Sequence, residues 1–131
     1  MLKKLFTRMF KPEGLENAQT PQDKQLAFVL TIDDKPIGEL RLDQGVWHFT
    51  YSNWFVKQTT IAPLIDFPDK NRPYHSTELW PFFLARIPGI KQPAIQKVIK
   101  QEKIDPNDLP SLLKRFGKKA IQNPFELNFV S

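Results

Sequence analysis

The chain has 131 residues, a formal net charge of +5 and no cysteine. Its length is that of one domain, and its hydrophobic fraction of 40% is sufficient to form a core. The lack of cysteine excludes disulfides and thiolate metal sites. No apolar run approaches the roughly 20 residues that cross a bilayer, so we expect a soluble, cytoplasmic protein with no membrane partner, whose positive charge suits acidic partners.

Residues 1–24 are predicted to be a basic and polar N-terminal extension of the domain that follows. A short basic amphipathic stretch, residues 3–10, comes first and a polar linker with proline and glutamine follows it. A transit peptide, a membrane-surface helix and a flexible tail are the alternatives for this stretch, and Glu13 and Glu16 favour the tail. The domain itself is predicted to span residues 25–131.

Apolar residues that alternate with a period of two predict three consecutive strands. Residues 26–32 form the first strand, residues 37–42 the second, and residues 46–51 the third, with short polar turns between them. Trp47, Phe49 and Tyr51 share one face of the third strand, and we expect them and the nearby Trp54 to be buried.

The next segment is less regular. Residues 53–57 are too short to assign, residues 59–65 are a weaker strand candidate, and residues 70–74 are predicted to be loop. A helix is then expected to begin at a Ser76 or Thr77 cap with Glu78 in its first turn, where the helix dipole favours an anion. It should end at Pro88-Gly89.

Two further helices have clearer signals. Pro93 suits the first position of one, and the other is expected to begin at an Asp108 cap and to end with Gly117 at the position after its C-cap. A last strand over residues 125–130 completes an α+β fold, with a mainly antiparallel sheet packed against about three helices.

No pattern of residues predicts catalysis. The five glycines are scattered, so there is no phosphate-binding loop, and His48 and His75 have no second ligand at a spacing that holds a metal. We therefore expect a protein that is not an enzyme and has no cofactor, since a minimal phosphotransferase would need a phosphate cradle and a metal-holding carboxylate pair.

Basic residues are concentrated in the last third of the chain. They indicate either a solvated helix face or a surface that contacts the DNA backbone. They are Lys91, Lys97, Lys100, Lys103, Lys114, Arg115, Lys118 and Lys119.

Four fragments between residues 36 and 130 form a specific series in sequence order. They are Ile37-Gly38-Glu39-Leu40, Trp47-His48-Phe49-Thr50-Tyr51 with Trp54, Pro63-Leu64, and Phe82-Phe83-Leu84-Ala85-Arg86-Ile87-Pro88. In this order and spacing they resemble the N-terminal subdomain of HipA-type serine/threonine kinases, the toxins of Hip toxin–antitoxin systems.

The resemblance implies a binding role in place of kinase activity, because it covers no nucleotide-binding or catalytic part of the kinase. A free-standing subdomain of this kind is similar to the HipS antitoxins of three-gene HipBST systems. There the partner is a HipT-like Ser/Thr kinase, alongside the DNA-binding HipB and, through it, operator DNA. The implied function is inhibition of the kinase in trans by blocking closure of its lobes, and the alternative is a non-inhibitory assembly subunit whose basic helices contact DNA.

The chain departs from the family pattern in two places. Ala85 and Pro88-Gly89 replace an asparagine and an acidic residue, and a glycine-rich segment is replaced by residues 117–122. Both changes would remove family contacts near the kinase core, so the resemblance does not by itself imply that this chain docks as the subdomain of HipA does.

The predicted partner-binding residues surround the start of the first helix. Trp80 is the anchor if its side chain points outward, since tryptophan is enriched among interface hot spots; the alternative is that it packs inward. Tyr74, His75 and Glu78 flank it and are predicted to add polar contacts.

Overall fold

A computed structural model describes residues 14, 15 and 17–131, and over this range the chain forms the predicted α+β fold. The basic stretch of residues 3–10 lies outside the described residues. Five strands and four helices occur in the described range. The strands are β1 (Leu26–Ile32), β2 (Lys35–Asp43), β3 (Val46–Tyr51), β4 (Tyr74–Ser76) and β5 (Glu126–Phe129), and the helices are α1 (Asn53–Lys57), α2 (Pro81–Leu84), α3 (Pro93–Gln101) and α4 (Leu109–Phe116).

The strands form one antiparallel sheet in the order β4-β3-β2-β1-β5. Two-residue turns join β1 to β2 and β2 to β3. Asp33, Asp34, Gln44 and Gly45 occupy these turns with positive φ, the conformation that matches the twist of a tight hairpin. The predicted meander is therefore confirmed, with β4 and β5 added at its two sides.

The core lies between one face of this sheet and the helices. Trp47, Phe49 and Tyr51 are buried in it, as predicted. The prediction for Trp54 is wrong, because its side chain is 36% exposed and lies beneath the ammonium group of Lys35, 5.4 Å from the ring centroid. The short helix α1 turns Phe55 into the core in its place, stacked on Tyr51 at 4.5 Å.

The predicted strand at residues 59–65 is also wrong, because side chains satisfy this segment's backbone. The amide oxygen of Gln58 accepts a hydrogen bond from the Ile61 N–H at 2.7 Å. The hydroxyl of Tyr51 accepts from the Leu64 N–H at 2.8 Å. Backbone groups held in this way need no neighbouring strand.

Helix α2 begins later than the sequence predicts. Ser76 belongs to β4 and its hydroxyl accepts from the Glu78 N–H at 3.1 Å, so neither Ser76 nor Thr77 caps a helix. Trp80 occupies the N-cap position, and a carboxylate oxygen of Asp66 accepts from the Phe82 N–H at 2.9 Å. The cap comes from a residue distant in sequence, which periodicity cannot reveal.

Helices α3 and α4 start where predicted, with Pro93 in the first turn of α3 and the Asp108 side chain capping α4. Gly117 ends α4 with φ −86°, so it does not take the left-handed conformation implied by the predicted position. Close packing requires glycine there, because a Cβ would lie 2.5 Å from the Leu113 carbonyl oxygen.

The described part of the predicted extension contacts the domain. Leu15 is fully buried in the core, and Thr20 accepts a hydrogen bond from the Trp47 indole N–H at 3.1 Å. Lys24 forms an ion pair with Asp108, the cap of α4. A domain boundary at Lys24 stays a prediction, but residues on its N-terminal side complete the core.

Gly38 lies in β2 beneath the ring of Phe49, and we expect Gly38→Ala to lower the free energy of unfolding by about 1 to 3 kcal/mol. A Cβ there would lie 2.6 Å from Phe49 Cζ and 2.7 Å from the Thr50 carbonyl oxygen. Urea denaturation followed by circular dichroism measures the change. Glu39→Ala is the control, because Glu39 is exposed and its loss should change stability by less than about 0.5 kcal/mol. Equal midpoints for the two variants would contradict the prediction.

Candidate partner-binding site

The buried ring of Phe67 lies at the centre of an aromatic cluster. It stacks on Phe49 at 4.2 Å between ring centroids, and it meets Trp80 at 4.8 Å and Tyr74 at 5.1 Å edge to face. Phe67 therefore connects the core side of β3 to the two aromatic residues that precede α2.

Trp80 is partly buried. Its ring system and that of Phe67 meet edge to face, and the residue is neither fully buried nor fully exposed. Its backbone is extended, and its carbonyl accepts hydrogen bonds from the Phe83 and Leu84 N–H groups at 3.0 Å each. Trp80 thus combines the two predicted alternatives, since it packs on the core and still presents apolar surface to solvent.

The loop beneath Trp80 is held by Tyr51. Its hydroxyl donates to the Phe67 carbonyl oxygen at 2.6 Å and accepts from the Leu64 N–H. Burial raises the pKa of this tyrosine to about 12, although the hydrogen bond from Leu64 acts in the opposite direction. The phenol is therefore protonated at neutral pH and fixes the loop that carries Phe67.

Tyr74 lies beside Trp80 in this cluster. Its hydroxyl accepts from the Asp69 N–H at 2.7 Å and donates to the Asp69 carbonyl oxygen at 3.0 Å. The guanidinium of Arg72 lies 5.0 Å from the ring centroid. Because internal contacts occupy the hydroxyl, Tyr74 offers a partner mainly its ring.

The structure separates the other two predicted site residues from Trp80. His75 follows Tyr74 along β4, so its side chain lies on the other face of the sheet. There it is exposed opposite His48, with 6.3 Å between the ring centroids. Glu78 lines a different feature, a cleft of about 240 Å³ shared with Thr20 and Gly45.

Ile65 is an exposed residue that sequence reasoning missed. Its side chain is 97% exposed, and it precedes Asp66, whose carboxylate bonds the Phe82 N–H at the start of α2. The incorrect strand assignment concealed it, whereas Pro63 and Pro68 on either side are a signal for an irregular loop. We call Ile65, Tyr74 and Trp80 the Trp80 surface.

Other kinds of site have little support in the described residues. Among residues 14, 15 and 17–131, no three or more His, Cys, Asp or Glu side chains are close enough together to hold a metal ion. In the same part of the chain, no helix is both long and apolar enough to cross a membrane. The exposed Ile65 and the partly buried Trp80 are the apolar side chains on which a binding site near α2 can be argued.

Comparison with known protein families identifies the family of this chain. The family model for the HipA N-terminal domain matches residues 29–121, which is more than half of the chain. The matched range contains the Trp80 surface. No curated protein sequence matches the chain.

Proposed function

Because the chain belongs to the HipA N-terminal domain family, we propose that it is a HipS-like antitoxin that binds a HipT-like serine/threonine kinase in trans and inhibits it. Membership in this family is consistent with a role related to HipA in a toxin–antitoxin system. In the proposed mechanism the protein performs no chemistry and acts only by binding.

The observation that supports this proposal best is that Trp80 is partly exposed while a buried neighbour holds its ring in place. Its indole rests on the buried ring of Phe67, and the fully exposed Ile65 belongs to the same loop. A large aromatic residue held in place before binding loses little conformational entropy when a partner covers it. Such residues are typical hot spots of protein interfaces.

Inhibition follows if this surface enters the cleft between the kinase lobes. A kinase must close its lobes to align the nucleotide with the catalytic groups, and an inserted aromatic side chain would hold them apart. Ile65 and Tyr74 would add apolar contacts around Trp80. His75 and Glu78 lie away from this contact, and a partner would touch them only if the interface were larger. HipB, and operator DNA through it, would join the same assembly.

The test is co-expression with a HipT-like kinase, followed by measurement of co-purification and of relief from growth arrest. We expect Trp80→Ala to weaken the complex about 30-fold or more, which corresponds to about 2 kcal/mol. It should also abolish relief of growth arrest. Isothermal titration calorimetry with the purified kinase would give the affinity.

Trp54→Ala is the matched control, since Trp54 is a partly exposed tryptophan in α1, outside the Trp80 surface. It should bind and suppress the kinase as the wild type does. Circular dichroism must show that both variants are folded. If a folded Trp80→Ala variant bound the kinase with wild-type affinity, the role of Trp80 as the anchor would be refuted. If the wild type formed a stable complex without relieving growth arrest, the assembly-subunit alternative would be supported.

A further inference from the structure

The positive charge of the protein is concentrated in one segment. Residues 89–122 contain eight Lys and Arg and three Asp and Glu, which gives a net charge of +5, the same as that of the whole chain. Two of the three acidic residues are already paired, Glu102 with Arg115 and Asp108 with Lys24. The remaining cations therefore face solvent with little compensation.

The fold gathers these cations where two helices end. The guanidinium of Arg115 forms a bidentate ion pair with Glu102, with N–O distances of 2.7 and 2.9 Å, and so joins the end of α4 to the end of α3. Lys100 and Lys103 lie on either side of Glu102 in sequence, and Lys118 and Lys119 follow α4. We call Lys100, Lys103, Lys118 and Lys119 the basic surface; all four are exposed.

We propose that the basic surface binds the phosphate backbone of double-stranded DNA without reading its sequence. Lysine is depleted at protein interfaces, whereas lysine and arginine supply most of the contacts to DNA phosphates. Single-stranded nucleic acid usually needs aromatic side chains for base stacking. The large exposed apolar side chain of this segment is that of Ile121, which has no ring. The described residues of the segment therefore offer no large exposed aromatic side chain on which a base could stack.

This inference does not depend on the proposed function, because the basic surface shares no residue with the Trp80 surface. Lysines near helix ends also interact favourably with the helix dipole, but this role accounts for the one or two cations nearest each end. It does not account for a net charge of +5 in one quarter of the chain.

The test uses the full chain and a fluorescently labelled DNA duplex of about 20 base pairs, with anisotropy measured between about 50 and about 200 mM salt. The wild type should bind with a strongly salt-dependent affinity. The variant K100Q/K103Q/K118Q should bind about tenfold or more weakly at the lowest salt. Its plot of log K against log salt should be less steep by about 3, because each phosphate contact contributes about 0.9 to the slope.

The control variant K35Q/R41Q/K57Q removes the same amount of charge from exposed positions outside the basic surface. It should keep the wild-type slope and an affinity within about twofold of the wild type. Equal losses in both variants would show that binding follows net charge alone, and unchanged binding by K100Q/K103Q/K118Q would place the DNA-binding cations elsewhere. Either result, or no wild-type binding at the lowest salt, would overturn the proposal.

Discussion

Phe67→Ala is expected to lower the free energy of unfolding by about 3 to 5 kcal/mol and the melting temperature by about 10 °C or more. Phe67 is fully buried, and its ring contacts Phe49, Tyr74 and Trp80. Removing the ring leaves a cavity that its neighbours cannot fill without leaving their own packing positions. Thermal and urea denaturation would measure the loss.

The same ring supports the proposed binding surface, so a milder variant separates stability from function. Phe67→Leu keeps an apolar side chain in the core but removes the aromatic edge-to-face contact with Trp80. It should remain folded and bind the kinase more weakly than the wild type. Phe129→Ala is the stability control, because Phe129 is 38% exposed and its loss should cost much less. Equal melting temperatures for Phe67→Ala and the wild type would contradict the central role of Phe67.

Arg86→Met is expected to lower the free energy of unfolding by about 3 kcal/mol, because methionine keeps the apolar stem and removes every donor. The guanidinium is buried, and it donates to the backbone carbonyls of Gly117 at 2.6 Å, of Lys118 at 3.1 Å and of Phe125. In this way it holds the segment between α4 and β5 against the end of α2. The variant leaves buried carbonyl oxygens without these hydrogen bonds.

Burial lowers the pKa of Arg86 to about 10, and Glu126 acts in the opposite direction. The side chain is still protonated at neutral pH, so the donors are present under assay conditions. Arg115→Met is the matched control, since Arg115 is exposed and an ion pair at the surface, such as the one it forms with Glu102, contributes little to stability. If the two arginine variants unfold at the same urea concentration, the anchoring role of Arg86 is wrong.

The strands and helices that were predicted correctly are those whose pattern comes from residues close together in the sequence. Strands β1, β2, β3 and β5 follow a period of two, and their inward residues form the sheet side of the core. Helices α3 and α4 follow helical spacing, with Pro93 and Asp108 at their starts. The short motifs were enough to indicate the family that the matched range then established.

The errors have a common physical cause, which is that distant residues supplied the deciding contacts. Tyr51 and Gln58 bond the backbone of residues 61–64 and leave no need for a strand there. Asp66 caps the N–H of Phe82, so α2 begins at Pro81 instead of at the local signals Ser76 and Thr77. Trp54 was expected in the core, but the five-residue helix α1 turns only Phe55 inward.

The candidate site shows the same division. Local patterns were enough to predict that Trp80 and Tyr74 lie near the start of a helix, that positive charge is concentrated in the last third of the chain, and that the fold is α+β. Packing between distant residues was needed to show that Tyr74 and His75 lie on opposite faces of β4, that Ile65 is exposed, and that Phe67 supports Trp80. The periodicity of a sequence shows which side of a strand or helix is apolar. Which residues cover that side depends on packing between residues that are distant in sequence.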